Sequence, residues 1–329
     1  MPLRIALPSW LTSKGKKREP NHLGVVLSPG RLAVAVIREG NQGKPILVAY
    51  ESFVDDPDLS QVGKWLKTQS LGIESVTFSL PSDDYQMLQM ETPSVPAAER
   101  ADAMRWRIKD MIEFPVAEAS VDCLVLPAPN GEGEGMHSWA VVAHQDRIAD
   151  WMHRARKAKL DLTAIDIPEA ALRNLLVVHP ADQATAFLRL SSTGGALVVA
   201  WRGELCSFRR FNDLNVAHFS SADIMTRQHL LERLALEVQR TADAFERQFY
   251  GTVIERVWVE QSVPEIDLVQ QLAPHVSVRL HAFDLHESFE IGIRAAEALQ
   301  RTQAPKPSLI ALGVALREVI SARDRRALA

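Results

Sequence analysis

Short apolar runs joined by glycine turns occur at two places in the chain and predict two buried hairpins. The first covers residues 23–37 and turns through Ser28-Pro29-Gly30. The second covers residues 186–201 and turns through Ser191-Ser192-Thr193-Gly194-Gly195. Apolar runs of about four to eight residues between turn residues are typical of buried strands. The repetition indicates two units with the same beginning.

The elements predicted after each hairpin also repeat. In both units the pattern favours a third strand, then a helix, then another buried strand. These elements fall at 45–50, 58–70 and 76–80 in the first unit, and at 204–209, 226–250 and 253–259 in the second. A short helix near 266–272 and a strand at 276–280 complete the second unit. Two units with one order of elements predict an α/β chain built by duplication.

A segment between the units, at about residues 85–165, has its own pattern. It contains a helix predicted at 97–113 and two strands that flank a glycine-rich turn. Helix and strands together predict a small α+β insert in the first unit.

The chain therefore divides into a basic flexible tail (1–21), a first domain that includes the insert (22–180) and a second domain (181–329). Two helices are predicted near the end, at 290–299 and 309–320. We expect the final helix to pack back toward the first domain.

Composition narrows the classes of function. The 329 residues carry a net charge of −4 and the pI is about 6.2, so no overall basic field favours nucleic acid. Two cysteines and the lack of any apolar run of about 20 residues predict a cytoplasmic protein without disulfides or a membrane span.

The basic tail has two interpretations. One is a flexible leader with no further role. The other is a weak membrane anchor, in which apolar residues around Trp10 enter the surface of the bilayer while Lys14, Lys16, Lys17 and Arg18 meet anionic lipid.

Five stretches of the chain resemble the PilM/MshI family of actin-like pilus-assembly proteins. They are residues 23–37, Met104 to Pro115, Leu160 to Leu175, Leu236 to Arg240, and Ile310 to Arg317. The resemblance implies a duplicated actin-like ATPase (ribonuclease H-like) fold at the cytoplasmic face of the inner membrane. It implies binding to the cytoplasmic tail of a PilN-like bitopic membrane protein, which is MshJ in the MSHA sub-branch that this chain resembles most. It also implies contact with a pilus platform driven by a separate motor ATPase.

The chain departs from the active members of that fold at the residues that hold metal. The resemblance implies an acid on the first strand of each unit, but the expected positions hold Val26 and Arg189, and neither hairpin contains Asp or Glu. Mg²⁺ needs carboxylate or phosphate oxygens around it. The glycine turn expected beside the adenosine reads Ser262-Val263-Pro264. We therefore expect no metal site, no resident cofactor and no ATP turnover.

A vestigial ATP site is implied at the two turns and on the long helix. Its candidate residues are Ser28, Gly30, Ser192, Thr193, Gly194, Gly195, Glu237 and Arg240. These residues are also typical of ordinary turns and a solvated helix face. A further alternative is anion binding without metal, in which Arg189 replaces the missing charge.

The insert is the candidate surface for the partner's tail. Met87 and Met90 lie on a predicted strand, and Met104 and Trp106 lie on the helix that follows. Methionine adapts its shape to a bound peptide, which could add along a strand edge or lie in a groove. The alternative is that these side chains fill the insert's own core.

Two other functions stay open from the sequence. A kinase or ATPase related to sugar kinases would need an acid near the pocket, and Asp166 is the candidate, although it also suits the N-cap of the next helix. A cytoplasmic domain similar to GspL of type II secretion is the other alternative.

Overall fold

The computed structural model describes residues 19–40, 43–54, 56–129, 134–263, 265–301 and 305–327. The predicted tail up to residue 18, and Pro264 of the predicted adenosine turn, lie outside these ranges. Within the described residues, no helix is long and apolar enough to cross a bilayer.

The first domain and its insert hold eight strands and four helices of the described chain. In order these are β1 (Asn21–Ser28), β2 (Arg31–Arg38), β3 (Ile46–Phe53), α1 (Leu59–Thr68), β4 (Ser75–Ser79), β5 (Tyr85–Glu91), α2 (Arg100–Arg107), β6 (Ala119–Pro127), β7 (Glu134–His144), α3 (Gln145–Lys157), β8 (Leu162–Asp166) and α4 (Pro168–Val177).

The rest of the chain forms the second domain and a return to the first. Its elements are β9 (Ala184–Leu190), β10 (Gly195–Trp201), β11 (Glu204–Phe211), α5 (Val216–Ser221), α6 (Ile224–Gln248), β12 (Ile254–Val259), α7 (Leu268–Leu272), β13 (Arg279–Ala282), α8 (Leu285–Ser288), β14 (Glu290–Ile291), α9 (Ile293–Leu299) and α10 (Leu309–Ala327).

The two main sheets repeat one topology. The first has the order β14-β3-β2-β1-β4-β8, and the second has the order β11-β10-β9-β12-β13. In each, three antiparallel strands are followed by two strands parallel to the first of them. The repeat of three strands, a helix and a strand along the chain is the one that the apolar pattern predicts, and the structure adds the parallel pairing.

The final helix lies between the two sheets. Leu312 and Leu316 of α10 are buried in one cluster with Leu175 of α4, Ala35 of the first sheet and Val198 of the second. The chain also returns to the first domain through β14, which pairs with β3, and through α9, which packs on the same strand. The last part of the chain therefore completes the domain that the first part begins.

Two glycines allow α10 to approach its neighbours closely. A Cβ added to Gly24 of β1 would lie 2.0 Å from the Ala311 oxygen, and one added to Gly313 of α10 would lie 2.1 Å from the Ala171 oxygen. Only a residue without Cβ fits at such separations. The helix is thus in direct backbone contact with β1 on one side and with α4 on the other.

The insert is smaller than the predicted 85–165. Its sheet has the order β5-β7-β6, but β8 pairs in parallel with β4 and belongs to the sheet of the first domain. The helix and strand at 145–166 therefore form a crossover of the first domain, as expected where two parallel strands must be connected. The insert ends near His144.

Three other predicted boundaries were wrong. The helix expected at 97–113 is a short 3-10 turn followed by α2, which ends at Arg107, after which Met111 N–H donates to the Ile108 oxygen in a turn. The strand expected at 276–280 begins at Arg279 instead. The helix expected from residue 290 starts at Ile293, since Glu290 and Ile291 pair with β3.

The insert connects the two domains. One face of its sheet packs under α2, where Met104 and Ile108 are fully buried. The other face meets the second domain: Leu126 joins that domain's core, and the rings of Trp139 and Phe208 lie 5.0 Å apart.

Candidate functional site in the cleft between the domains

The second hairpin turn is closed on itself by Ser191. Its backbone N–H donates to the Gly194 oxygen at 2.7 Å, and its hydroxyl donates to the same oxygen at 2.8 Å. Gly194, with a φ of 155°, lies close to the Phe211 oxygen, where a Cβ would be 2.5 Å away. Ser192 and Thr193 at the tip are exposed. The first turn leaves Ser28 and Gly30 exposed as well.

A row of charged side chains crosses the second sheet just beside this turn. Arg189 of β9 and Arg210 of β11 both stand opposite Ala196 of β10, so their side chains share one face of the sheet. Ala196 packs against the core between the domains. The row therefore borders the interface between the two domains.

Arg210 joins Glu169 and Tyr85 in a buried network. Its Nε donates to Glu169 Oε1 at 2.7 Å and its Nη2 donates to the Tyr85 hydroxyl at 2.6 Å, while Tyr85 donates to Glu169 Oε2. Glu169 is only 2% exposed. The three residues come from the second domain, from α4 of the first domain and from the start of the insert, so one network ties all three parts together.

The pKa values in this network follow from burial and charge. Burial raises the pKa of Tyr85 well above its ordinary value of 10, and the charge of Glu169 raises it further. Burial opposes the charged form of Arg210, but the hydrogen bond and charge of Glu169 outweigh it and raise the pKa of Arg210. Tyr85 is therefore a neutral donor and Arg210 a permanent cation.

Arg189 is paired with Glu260. The Arg189 Nε lies 3.3 Å from Glu260 Oε2, and both atoms are buried although each side chain is about a quarter exposed (28% and 25%). Burial raises the pKa of Glu260 despite the opposing charges of Arg189, Lys306 and Arg31. Ionisation of Glu260 therefore lowers the free energy of unfolding.

This cost leads to a pH-dependent prediction. A carboxyl whose pKa is higher in the folded protein than its unfolded value of 4.5 destabilises the fold once it ionises, and has no such effect where both states are protonated. We expect Glu260→Gln to match the wild type in stability near about pH 4 and to become the more stable protein as the pH rises to neutrality. Thermal unfolding midpoints across that range test this, with Glu246→Gln, at an exposed position of α6, as the control. A difference that does not change with pH would contradict it.

Asp166 is an ion-pair residue and does not cap a helix. Its Oδ2 lies 3.1 Å from Arg317 Nη1 of α10, and its Oδ1 accepts from the Ile167 N–H at 2.8 Å. The N-cap of α4 is Ile167, and no side chain caps that end. The N-cap interpretation was therefore wrong, and the carboxylate proposed as a rival catalytic acid is engaged by an arginine.

Glu237 and Arg240, the predicted residues of the long helix, contact each other and a strand. Glu237 Oε2 lies 2.5 Å from Arg209 Nε of β11, and Glu237 Oε1 lies 3.5 Å from Arg240 Nη1. Both arginines are more than 40% exposed. The helix face is thus joined to β11 next to the second turn.

The residues present do not fit a Mg²⁺ site. Val26 of β1 packs against the core between the domains, and Arg189 is a cation in an ion pair. Glu169, Glu237 and Glu260 are each bound to arginine, and no group of three potential metal ligands occurs in the described chain. The cleft offers arginine–carboxylate pairs where a metal would need free oxygen ligands.

The four predicted partner-binding residues do not form one surface. Met104 is fully buried in the insert, so it cannot contact a partner directly. Met90 packs beside it, and Met87 packs against the core of the first domain and the core between the domains. Trp106 is 73% exposed on α2. Met104 thus fits the alternative in which these side chains fill the core of the insert. Of the four residues, only Trp106 has a largely exposed side chain.

The network of Tyr85, Glu169 and Arg210 was missed in the sequence. Glu169 follows Pro168 at the start of an apolar helix. An acid at that position is explained by the helix dipole alone, so it does not indicate a buried partner. Arg210 lies next to Arg209 in a strand whose neighbours are apolar, and a charge inside such a strand is the signal that could have indicated a buried partner.

The fold of this chain is similar to that of proteins whose structures have been solved. No protein-family model matches the chain, and no curated protein matches its sequence. A chain of the PilM–PilN type IV pilus biogenesis complex is similar over 91% of this chain and 98% of its own, with a TM-score of 0.69 and 21% identity. The cytoplasmic domain of EpsL, an inner-membrane component of the type II secretion system of Vibrio cholerae, is similar over 88% of this chain and 98% of its own, with a TM-score of 0.49 and 14% identity.

A Bacteroides thetaiotaomicron protein of the actin-like ATPase fold is similar over 84% of this chain and 95% of its own, with a TM-score of 0.45 and 8% identity. Together with the duplicated sheets, the likeness to the pilus complex shows that the chain has the actin-like ATPase fold, which the family resemblance of the sequence implies.

Proposed function

We propose that this protein is a non-motor scaffold of a type IV pilus assembly platform of the MSHA type. It works at the cytoplasmic face of the inner membrane, where it binds the cytoplasmic tail of a PilN-like or MshJ-like membrane protein. The observation that carries the proposal is the likeness to a chain of the PilM–PilN complex, which extends over nearly all of both chains.

The cleft supports the non-motor part of this proposal. A motor would need a metal–nucleotide site, and the positions expected for its acids hold Val26 and Arg189. The carboxylates nearby are bound to arginines. A separate motor ATPase of the platform would then supply the work of assembly, and this chain would position the membrane protein relative to it.

Trp106 is the first residue to test as a partner contact. Tryptophan is enriched among the few interface residues that dominate binding, and truncating such a residue weakens affinity by about tenfold or more. We expect Trp106→Ala to weaken binding of synthetic peptides from the cytoplasmic tails of neighbouring pilus-operon membrane proteins by at least about tenfold. Isothermal titration calorimetry measures this directly.

The matched control for that variant is Tyr250→Ala, because Tyr250 is a 90% exposed aromatic residue just beyond α6. Equal affinities for Trp106→Ala and wild type would place the partner elsewhere on the protein. Failure of every tail peptide to bind the wild type would contradict the scaffold proposal itself.

The absence of turnover is tested separately. We expect the purified protein to release no phosphate from Mg²⁺–ATP above the level of a buffer blank. Any activity found should be unchanged in Glu237→Ala, because Glu237 is bound by Arg209 and Arg240 and has no free metal-binding oxygen in this arrangement. Turnover that disappears in Glu237→Ala would show that the protein is an ATPase.

A further inference from the structure

Three neighbouring strands of the first domain begin at one edge of its sheet. They are β1, β4 and β8, which lie side by side and parallel to one another. Only short links join α1 to β4 and α3 to β8, so both helices end at the edge where these strands begin. The helices also lie close to each other, since a Cβ added to Gly63 of α1 would be 3.1 Å from the Ala158 oxygen just after α3.

A group of exposed cations, which we call the basic edge, lies on these helix ends. Its members are Lys64 and Lys67 of α1, Arg156 and Lys157 of α3, and Lys159 in the link to β8. None of them forms an ion pair with another described residue. The exposed acids in the links that precede the three strands are Glu19, Glu74 and Asp161. The cations of the basic edge thus outnumber these acids.

The helix dipole explains only part of the basic edge. A cation in the last turn of a helix is favourable without any ligand, which accounts for Lys67 and Lys157. It does not account for Lys64, which lies before the last turn of α1. Nor does it explain why the cations of two helices gather at one edge in a chain whose net charge is −4.

The basic tail joins the chain at the same edge. Asn21 at the start of β1 donates from its side-chain nitrogen to the Gly72 oxygen, in the link between α1 and β4, at 2.8 Å. The sequence just before β1 holds Lys14, Lys16, Lys17 and Arg18, and before them Ile5, Leu7, Trp10 and Leu11. Apolar residues next to a run of cations are typical of segments that bind an anionic bilayer. Aliphatic side chains offer little to a nucleic acid, so the tail favours lipid as the partner of this edge.

We propose that the basic edge binds the headgroups of an anionic phospholipid bilayer, while apolar residues of the tail enter the bilayer surface beside it. Neither a polybasic surface nor a short apolar segment binds a membrane stably alone, but the two together do. Met152 of α3 is 45% exposed and lies on the same helix face as Arg156, four residues later, so it adds an apolar side chain to the contact. Docking by this edge points the opposite edge of the sheet, where β1 ends at the first hairpin turn, away from the bilayer.

This inference adds a direct lipid contact to the proposed place at the membrane. Lipid binding is measured on the full chain without any partner peptide. A failure to bind lipid therefore leaves the scaffold proposal standing, and a failure to bind tail peptides leaves the lipid contact standing.

Co-sedimentation with vesicles tests the proposal. The vesicles contain phosphatidylcholine alone or with about 30% phosphatidylglycerol, at about 100 mM salt. We expect the wild type to bind only the anionic vesicles. The triple variant Lys67→Gln, Arg156→Gln, Lys159→Gln should bind them at least about tenfold more weakly, because each cation at an anionic surface strengthens binding by about fivefold. The tail is unchanged in this variant, so the loss reports on the folded surface.

The matched control is the triple variant Arg247→Gln, Arg279→Gln, Arg294→Gln, which makes the same change in net charge at exposed positions elsewhere. Its affinity should stay within about twofold of the wild type, since salt screens distant charges. The double variant Lys67→Gln, Lys159→Gln replaces the first triple variant if that one does not fold.

Four outcomes would overturn the proposal. The wild type could fail to prefer anionic vesicles, the basic-edge variant could bind as the wild type does, or both triple variants could lose affinity equally. The fourth is tighter binding to a short single-stranded DNA than to the anionic vesicles, which would assign the basic edge to nucleic acid.

Discussion

Replacing Glu169 by alanine is expected to destabilise the protein by about 3 kcal/mol. The change removes the only carboxylate bound by Arg210 in the network and leaves the Tyr85 hydroxyl without its acceptor. Breaking a buried ion pair by removing one partner typically costs about 3–5 kcal/mol. The lower figure applies here because Arg210 is 30% exposed and can turn partly toward water.

Equilibrium unfolding in urea, followed by circular dichroism, measures this loss. Tyr85→Phe is the milder companion variant, because it removes one hydroxyl and keeps the Glu169–Arg210 pair, and its expected cost is about 1–2 kcal/mol. Glu265→Ala, at an exposed position, should change stability by no more than about 0.5 kcal/mol. A loss below about 1 kcal/mol for Glu169→Ala would show that the network does not hold the domains together.

Gly313→Ala is expected to destabilise the protein by about 3 kcal/mol or more, although alanine normally favours a helix over glycine by about 1 kcal/mol. The reversal arises because the new Cβ would lie 2.1 Å from the Ala171 oxygen, so α4 and α10 would have to move apart. That movement would disturb the buried hydrogen bond from Asn174 to the Gly313 oxygen, which is 2.9 Å long.

The matched control is Gly72→Ala, because nothing lies within 4 Å of a Cβ added to Gly72. We expect this variant to stay within about 0.5 kcal/mol of the wild type. Thermal and urea unfolding of both variants, measured side by side, test this difference in stability. A Gly313→Ala variant as stable as Gly72→Ala would mean that the two helices are not in backbone contact.

Apolar patterning was sufficient to predict the order of the first elements of each domain along the chain, but not which strands pair at the sheet edges. The hairpins at 23–37 and 186–201 have buried runs that leave little choice of structure, and each was found as two paired strands. The insert boundary could not be predicted in the same way. The apolar pattern of β8 would be the same whether this strand paired with β4 or with a strand of the insert. Which of these pairings forms depends on contacts between residues that are distant in sequence.

The cleft was only partly predictable for a related reason. The absence of acids near Val26 and Arg189 is visible in the sequence alone. Which arginine meets which carboxylate depends on register, since Arg189 and Arg210 come together on one face only because both stand opposite Ala196. Their partners are Glu260, in the segment that follows β12, and Glu169, on α4 of the first domain.

The position of α10 also governs the order in which the protein can assemble as it is synthesised. The first domain is synthesised before the second, yet its sheet lacks the edge strand β14 and the covering helix α10 until the strands of the second domain have been made. The apolar face that α10 covers therefore stays exposed while the second domain is synthesised, and pairings between such distant segments form slowly. The first domain is thus completed only after the second has been made, and we expect its nascent sheet to be prone to aggregation until α10 packs on it.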